Sequence, residues 1–189
     1  MRVSDVHLAG IKVIDPQVFG DPRGFFLESY HLPRYAAAGI AAVFVQDNLS
    51  LSVRHTLRGL HYQIRHPQAK LIQVLRGEVF DVAVDLRKDS PTFGSWAGFY
   101  LSDVNHRQVF IPEGFAHGFM VLSSEALFHY KCADVYRPED EGGLLWSDTQ
   151  IGIQWPSAKP ILSDKDRRWP PLARLSHEHL PRVAERSGT

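Results

Sequence analysis

From Glu78 to Leu86 the side chains alternate, with Phe80, Val82, Val84 and Leu86 on one side and Val79, Asp81, Ala83 and Asp85 on the other. A period of two sends successive side chains to opposite faces of an extended chain, so this stretch is predicted to be a strand. Shorter β-rich runs of the same type are predicted at 42–45, 70–75, 107–111, 119–122 and 126–132. Turn signals part them: Arg76-Gly77, Ser90-Pro91, Pro112-Glu113-Gly114 and Asp140-Glu141-Gly142-Gly143. One short helix is predicted over 32–38, with Pro33 near its start and Gly39 where a C-terminal cap belongs. Many short strands with frequent turns predict an all-β sandwich or jelly-roll barrel with short peripheral helices. A parallel α/β fold needs a helix between successive strands, and the sequence has no room for them.

The 189 residues fit one domain spanning 1–189, with a core over about 10–166 and a peripheral tail over 167–189 rich in proline, arginine and histidine. The 21 basic and 21 acidic residues balance, which argues against a nucleic-acid-binding surface over the whole molecule. Cys132 is the single cysteine, so no intrachain disulfide forms, in keeping with a reducing cytoplasm. Met1-Arg2-Val3-Ser4-Asp5 has no apolar stretch behind its basic residue, unlike a signal peptide. No apolar run approaches the roughly 20 residues that cross a bilayer. A cytoplasmic chain with no nucleic-acid or membrane partner is the expectation.

Four segments crowd polar groups where a plain strand would not want them: 21–28, 46–63, 111–119 and 162–166. Singly, each has a bland explanation. Arg23 before Gly24 could be a solvated turn, His61 a hydrogen-bonded core histidine, Lys70 a surface residue, and Asp164-Lys165-Asp166 a solvated charge run. Pro112-x-Gly114-x-x-His117 is similar to the second metal motif of the cupins. The matching first motif, His61-Tyr62-Gln63, offers one ligand instead of a His-x-His. Two scattered histidines are too few for a zinc or iron site, and His177-Glu178-His179 lies in the tail. Neither a metal nor an organic cofactor is expected, and no Gly-x-Gly-x-x-Gly is present.

In order, the segments read Asp-x-Arg-Gly-Phe-Phe-x-Glu, Gln-Asp-Asn, Leu-Arg-Gly-Leu-His-Tyr-Gln, Gly-Glu-Val-Phe-Asp-Val-Ala-Val-Asp-Leu-Arg, Ser-Pro-Thr-Phe-Gly and Ile-Pro-Glu-Gly-Phe-Ala-His-Gly-Phe. This series closely resembles the dTDP-4-dehydrorhamnose 3,5-epimerase family over roughly 10–166. The resemblance implies a cupin-like jelly roll, a homodimer that exchanges strands, and a dTDP-linked 4-keto-6-deoxy sugar as substrate. It also implies roles for residues. His61 resembles the catalytic base, Asp166 its carboxylate partner, Lys70 the lysine near the sugar's C4 oxygen, and Tyr130 the acid on the other face. Arg23, Glu28, Gln46, Asp47, Asn48, Arg58, His117, Glu141 and Lys165 match substrate contacts, and Tyr136 a second tyrosine near the site. One departure is that His61 and Lys70 lie one residue closer together than in the family pattern, a change that the loop at 64–67 can absorb.

The chemistry suits these residue types. A C4 carbonyl acidifies the protons at C3 and C5, because losing either gives an enolate. Inversion then needs a base on one face and a proton donor on the other. A carboxylate can orient the histidine, a lysine can meet the enolate oxygen, and arginine forks can grip a diphosphate. The same residues would serve an enzyme that inverts only C3 or only C5. A non-catalytic sugar-nucleotide-binding cupin and a metal-dependent oxygenase are further alternatives.

Overall fold

The computed structural model describes residues 1–183, so the last six residues of the expected tail lie outside the described part. Its strands are β1 (Arg2–Asp5), β2 (Lys12–Asp15), β3 (Val18–Asp21), β4 (Gly24–Leu27), β5 (Gln46–Val53), β6 (Leu57–Gln63) and β7 (Lys70–Arg76). They continue with β8 (Glu78–Asp85), β9 (Trp96–Ser102), β10 (Gln108–Ile111), β11 (Phe115–Val121), β12 (Glu125–Cys132) and β13 (Glu141–Gly143). One α-helix, α1 (Leu32–Ala37), interrupts them. Here the His31 ring caps the backbone N–H of Arg34, Pro33 sits in the first turn, and the buried face is Tyr35.

The strands form two larger antiparallel sheets and a hairpin. One sheet runs β1-β2-β10-β7-β12-β5 and the other β13-β6-β11-β8-β9, while β3 and β4 pair only with each other. This is a cupin-like jelly roll. Strand alternation sorts the core into layers. Val79 and Ala83 point between the sheets and meet Ile72, Val74, Val109, Phe119 and Phe128. Phe80, Val82, Val84 and Leu86 point to the other side of β8 and pack with Leu60, Tyr62, Leu172 and Leu180. The segment after Pro170 therefore lies across the outer face of the five-stranded sheet, fastened by the Tyr62 hydroxyl donating to the His179 carbonyl at 2.9 Å. On the outside of the six-stranded sheet, Tyr35 and Ile40 cover Ile14, Leu71 and Phe110.

Two local features aim the site. The β6–β11 register shifts between His117 and Phe119, a bulge that turns the strand next to the site. There Gly59 and Gly118 let the backbones touch, since a Cβ on Gly59 would lie 2.6 Å from the Gly118 Cα. The expected strand at 42–45 does not form. That stretch is irregular, and the strand begins at Gln46.

Candidate active site

A cavity of about 500 Å³ opens between the two sheets, a size usual for small-molecule sites. The five-stranded sheet lends it Arg58, His61, Gln63, His117 and Phe119, and the six-stranded sheet lends Gln46, Asn48, Lys70, Phe128, Tyr130 and Cys132. Tyr136, Glu141, Ser163, Lys165 and Asp166 complete it from connecting segments and β13. Phe128 is fully buried and stacks on Phe119 at 3.9 Å.

His61 and Asp166, 105 residues apart, meet at 2.5 Å between Nε2 and Oδ1. A carboxylate only accepts, so Nε2 is the donor in this contact. Asp166 is buried, and its backbone N–H donates to the Ser163 hydroxyl at 3.1 Å. Burial alone would raise its carboxyl. Bonds from His61 and Ser163, together with the attraction of the imidazole, outweigh that and hold it below the usual carboxylate range.

From the opposite sheet, Tyr130 and Lys70 face this pair. Burial pushes the Tyr130 phenol up to about 12, so it keeps its proton throughout the neutral range. Lys70 Nζ stands 6.0 Å from the centroid of the Tyr130 ring. Burial lowers the Lys70 ammonium, and the fields of Cys132, Asp81 and Glu141 partly restore it. An imidazole on one wall thus faces a protonated phenol and a lysine on the other.

The remaining polar groups ring this centre. His117 is buried, its Nε2 donates to Asp81 at 2.8 Å, and burial lowers its pKa, which favours the neutral ring. Asp81 is an interior residue that sequence reasoning left out. The available signal was a carboxylate in register with Val79 and Ala83 on the inward face of β8. Arg58 Nε donates to the Ser52 hydroxyl at 3.0 Å. Gln46 donates to Asn48 at 3.0 Å, Lys165 to Glu141 at 2.8 Å, and the Tyr136 hydroxyl to Glu141 at 3.0 Å. The shortened loop after β6 is pinned by Asp140, which accepts from the backbone N–H groups of Arg65 and His66 at 3.0 and 2.8 Å. Among the described residues, no three His, Cys, Asp or Glu side chains are grouped to hold a metal ion.

Eleven of the fourteen expected site residues therefore line one cavity: His61, Asp166, Lys70, Tyr130, Gln46, Asn48, Arg58, His117, Tyr136, Glu141 and Lys165. Arg23, Glu28 and Asp47 do not line it. Arg23 sits at the exposed tip of the β3–β4 hairpin, paired with Asp21 at 2.5 Å. Glu28 pairs with Arg34, and Asp47 points to the outer face of β5, where it pairs with Lys131.

A family model described as dTDP-4-dehydrorhamnose 3,5-epimerase matches residues 5–174. The chain belongs to the dTDP-4-dehydrorhamnose 3,5-epimerase family. Like the other members of this epimerase family, it is an isomerase. It is 52% identical over 174 residues to the dTDP-4-dehydrorhamnose 3,5-epimerase of Methanothermobacter thermautotrophicus, covering 90% of this chain and 94% of that one. It is 43% identical to a dTDP-4-dehydrorhamnose 3-epimerase of Streptomyces niveus, over 88% of this chain and 82% of that one. Among solved structures it is similar to a dTDP-6-deoxy-D-glucose-3,5-epimerase of Legionella pneumophila in complex with dTDP-4-keto-L-rhamnose. That match has a TM-score of 0.93 and 49% identity, and covers 97% of this chain and 98% of the other.

Proposed function

We propose that this epimerase inverts both C3 and C5 of a dTDP-linked 4-keto-6-deoxy sugar, turning the dTDP-4-dehydro-6-deoxy-D-glucose form into dTDP-4-dehydro-L-rhamnose. The observation that carries the proposal is the His61–Asp166 contact facing Tyr130 and Lys70 across the gap between the sheets. His61 Nδ1 removes a ring proton, and Asp166 stabilises the imidazolium formed at that moment. Lys70 meets the enolate oxygen, and Tyr130 delivers a proton to the opposite face of the carbon. His61 then releases its proton to solvent, Tyr130 regains one, and the abstraction repeats at the second carbon after the ring has turned to offer that proton. Arg58 supplies a guanidinium fork for the diphosphate, with Gln46, Asn48, His117, Tyr136, Glu141 and Lys165 as further contacts.

The working unit in this reading is a homodimer. Phe19, Phe25 and Phe26 of the hairpin are 59%, 61% and 69% exposed, while Leu49, Leu51 and Val53 form an apolar row on the outside of the edge strand β5. Exposed apolar surface of this kind seeks a partner. A second copy would cover both patches and bring Arg23 and Glu28 of the partner subunit to the cavity that their own chain does not give them. Light scattering that finds a monomer with full activity would rule this out. The cytoplasm is the proposed location, consistent with the free, buried Cys132 thiol.

A single-carbon epimerase is the second reading, favoured by the likeness to the Streptomyces niveus 3-epimerase. Incubation in D₂O separates the two. Each enolate is reprotonated from a group that exchanges with solvent, so double inversion places deuterium at both C3 and C5. Loss of only one ring-proton signal after long incubation with ample enzyme would defeat the double-inversion proposal. His61→Asn should cut turnover by about 10²–10⁴-fold while dTDP binding persists. Near-parent turnover in that variant would remove His61 from its role.

A further inference from the structure

Behind the His61–Asp166 pair, on the side away from the cavity, stands Trp169. We infer that Trp169 is a positioning residue for the pair, holding the imidazole and the carboxylate in register through its ring face and its buried indole N–H. The inference rests on the assignment of His61 as base and Asp166 as its orienter.

Three independent observations converge on this ring. The Trp169 and His61 rings meet edge to face, with centroids 6.2 Å apart and planes at 68°. Gly143 lies directly beside His61 in the β13–β6 register, and a Cβ there would overlap Cδ2 and Cε2 of Trp169. Only a residue without a side chain lets the indole lie against this strand, so Gly143 and Trp169 form one fitted contact. Finally, Trp169 Nε1 is buried with no hydrogen-bond partner, one of two such side-chain atoms among the described residues. Trp169 is also among the side chains that lower the Asp166 carboxyl. After burial, which raises the carboxyl, and His61, which lowers it most, Ser163 and Trp169 add to the lowering. Trp169 thus stands close enough to Asp166 to influence its carboxyl, although Nε1 makes no hydrogen bond of ordinary length and angle.

The ring is itself anchored on both sides. The Pro170 carbonyl accepts from the Leu145 N–H at 2.9 Å, and the Leu172 N–H donates to Asp148 at 2.6 Å. The Asp166 turn is closed by the Arg167 N–H donating to the Ser163 carbonyl at 3.2 Å. Trp169 therefore clips the turn carrying the carboxylate to the strand pair carrying the base. Proton abstraction needs reacting atoms within a few tenths of an ångström of their working separation, so slack in this clip costs rate rather than affinity. Trp169 is absent from the cavity lining.

The test uses the full-length enzyme and the variants Trp169→Phe, Trp169→Ala and Gly143→Ala, with kcat, KM, dTDP affinity and the pH dependence of kcat measured for each. Trp169→Phe keeps a ring and loses the N–H. Asp166 becomes more basic and grips the imidazolium more strongly, so the acid limb should move to higher pH by roughly half a unit, with kcat reduced only a few-fold. Trp169→Ala should lower kcat by about 10–100-fold with KM and dTDP affinity within about twofold. Gly143→Ala should lower kcat similarly by displacing the ring, and should add nothing to Trp169→Ala because the clash is gone. A parent-like kcat and acid limb in folded Trp169→Phe and Trp169→Ala would overturn the inference. So would a joint fall of kcat and dTDP affinity with the acid limb unmoved, the mark of packing alone. His61→Asn separates the two levels. If it keeps turnover, the base assignment itself fails. If it is inactive while the Trp169 variants behave as the parent, the positioning role alone fails.

Discussion

Replacing Tyr130 by phenylalanine should separate two events that the parent enzyme couples, proton removal and inversion. The phenol sits at about 12 because burial disfavours phenolate. At pH 7 the protonated form therefore outnumbers phenolate by about 10⁵, and Tyr130 acts as a donor, never as a competing base. Phenylalanine keeps the ring that packs beside Phe128 at 5.9 Å and under Lys70, so the wall of the cavity persists. The base lies on the other sheet and keeps its Asp166 contact. His61 should still form the enolate, and Lys70 should still stabilise it. With no acid opposite, the carbon takes its proton back from the His61 side. Inversion should fall by about 10²–10⁴-fold, the usual worth of one positioned acid. Exchange should fall much less, because the cavity is open enough for the imidazolium to trade its proton with solvent. Proton NMR of the nucleotide sugar in D₂O reads both events in one tube: the ring-proton signals fade with exchange, and new coupling constants appear with inversion. Fading without new couplings is the expected result. If exchange and inversion fall by the same factor, Tyr130 is needed for abstraction and the division of labour is wrong. If inversion proceeds at the parent rate, Tyr130 is not the acid.

Lys70→Gln should lower kcat by about 10²–10³-fold with dTDP affinity little changed, since one charge-stabilising donor at a developing oxyanion is worth about 3–4 kcal/mol. In the parent, Lys70 works only while charged, and burial lowers its pKa, so activity should fade as pH rises through a point below the ordinary lysine range near 10.4. Full activity that persists to the ordinary lysine range near 10.4, or a weak effect of the substitution, would remove it from the enolate oxygen. Asp140→Asn tests the loop. Burial would raise that carboxyl, but hydrogen bonds from Arg65 and His66 bring it from 3.8 down to about 2. A depressed carboxyl stabilises the fold above its unfolded pKa, by about 2 kcal/mol here, and loses that contribution as pH falls from about 4 to 2. The variant should melt roughly 4–8 °C lower at pH 7, and the gap should narrow as pH falls below about 4 and nearly vanish near pH 2 in calorimetry. A gap that stays constant with pH would locate the loss in packing instead.

The strands that were legible from the sequence alone share one property: their two faces meet different apolar layers, or one apolar layer and solvent. Glu78–Asp85 is the clearest, and 107–111 and 126–132 fall within about two residues of their observed ends. Gln46–Val53 was missed because its pattern is inverted. Its inward residues Gln46, Asn48, Ser50 and Ser52 are polar, since they face a cavity or its edge, while Leu49, Leu51 and Val53 point outward. Read as a strand over a dry core, that alternation has the wrong sign. The ordered motifs carried the family, and with it the residues proposed as base, acid and cation. The resemblance also pairs Asp166 with His61 across 105 residues, which period and spacing alone do not show, and nothing in the sequence shows that His117 takes Asp81 as its partner. Nor could the sequence show that Arg23 and Glu28, for all their resemblance to substrate contacts, stand outside their own chain's cavity. Period and turn chemistry are local and survive in one dimension. Which polar groups share a dry space depends on how two sheets are stacked, and the tertiary structure alone decides that.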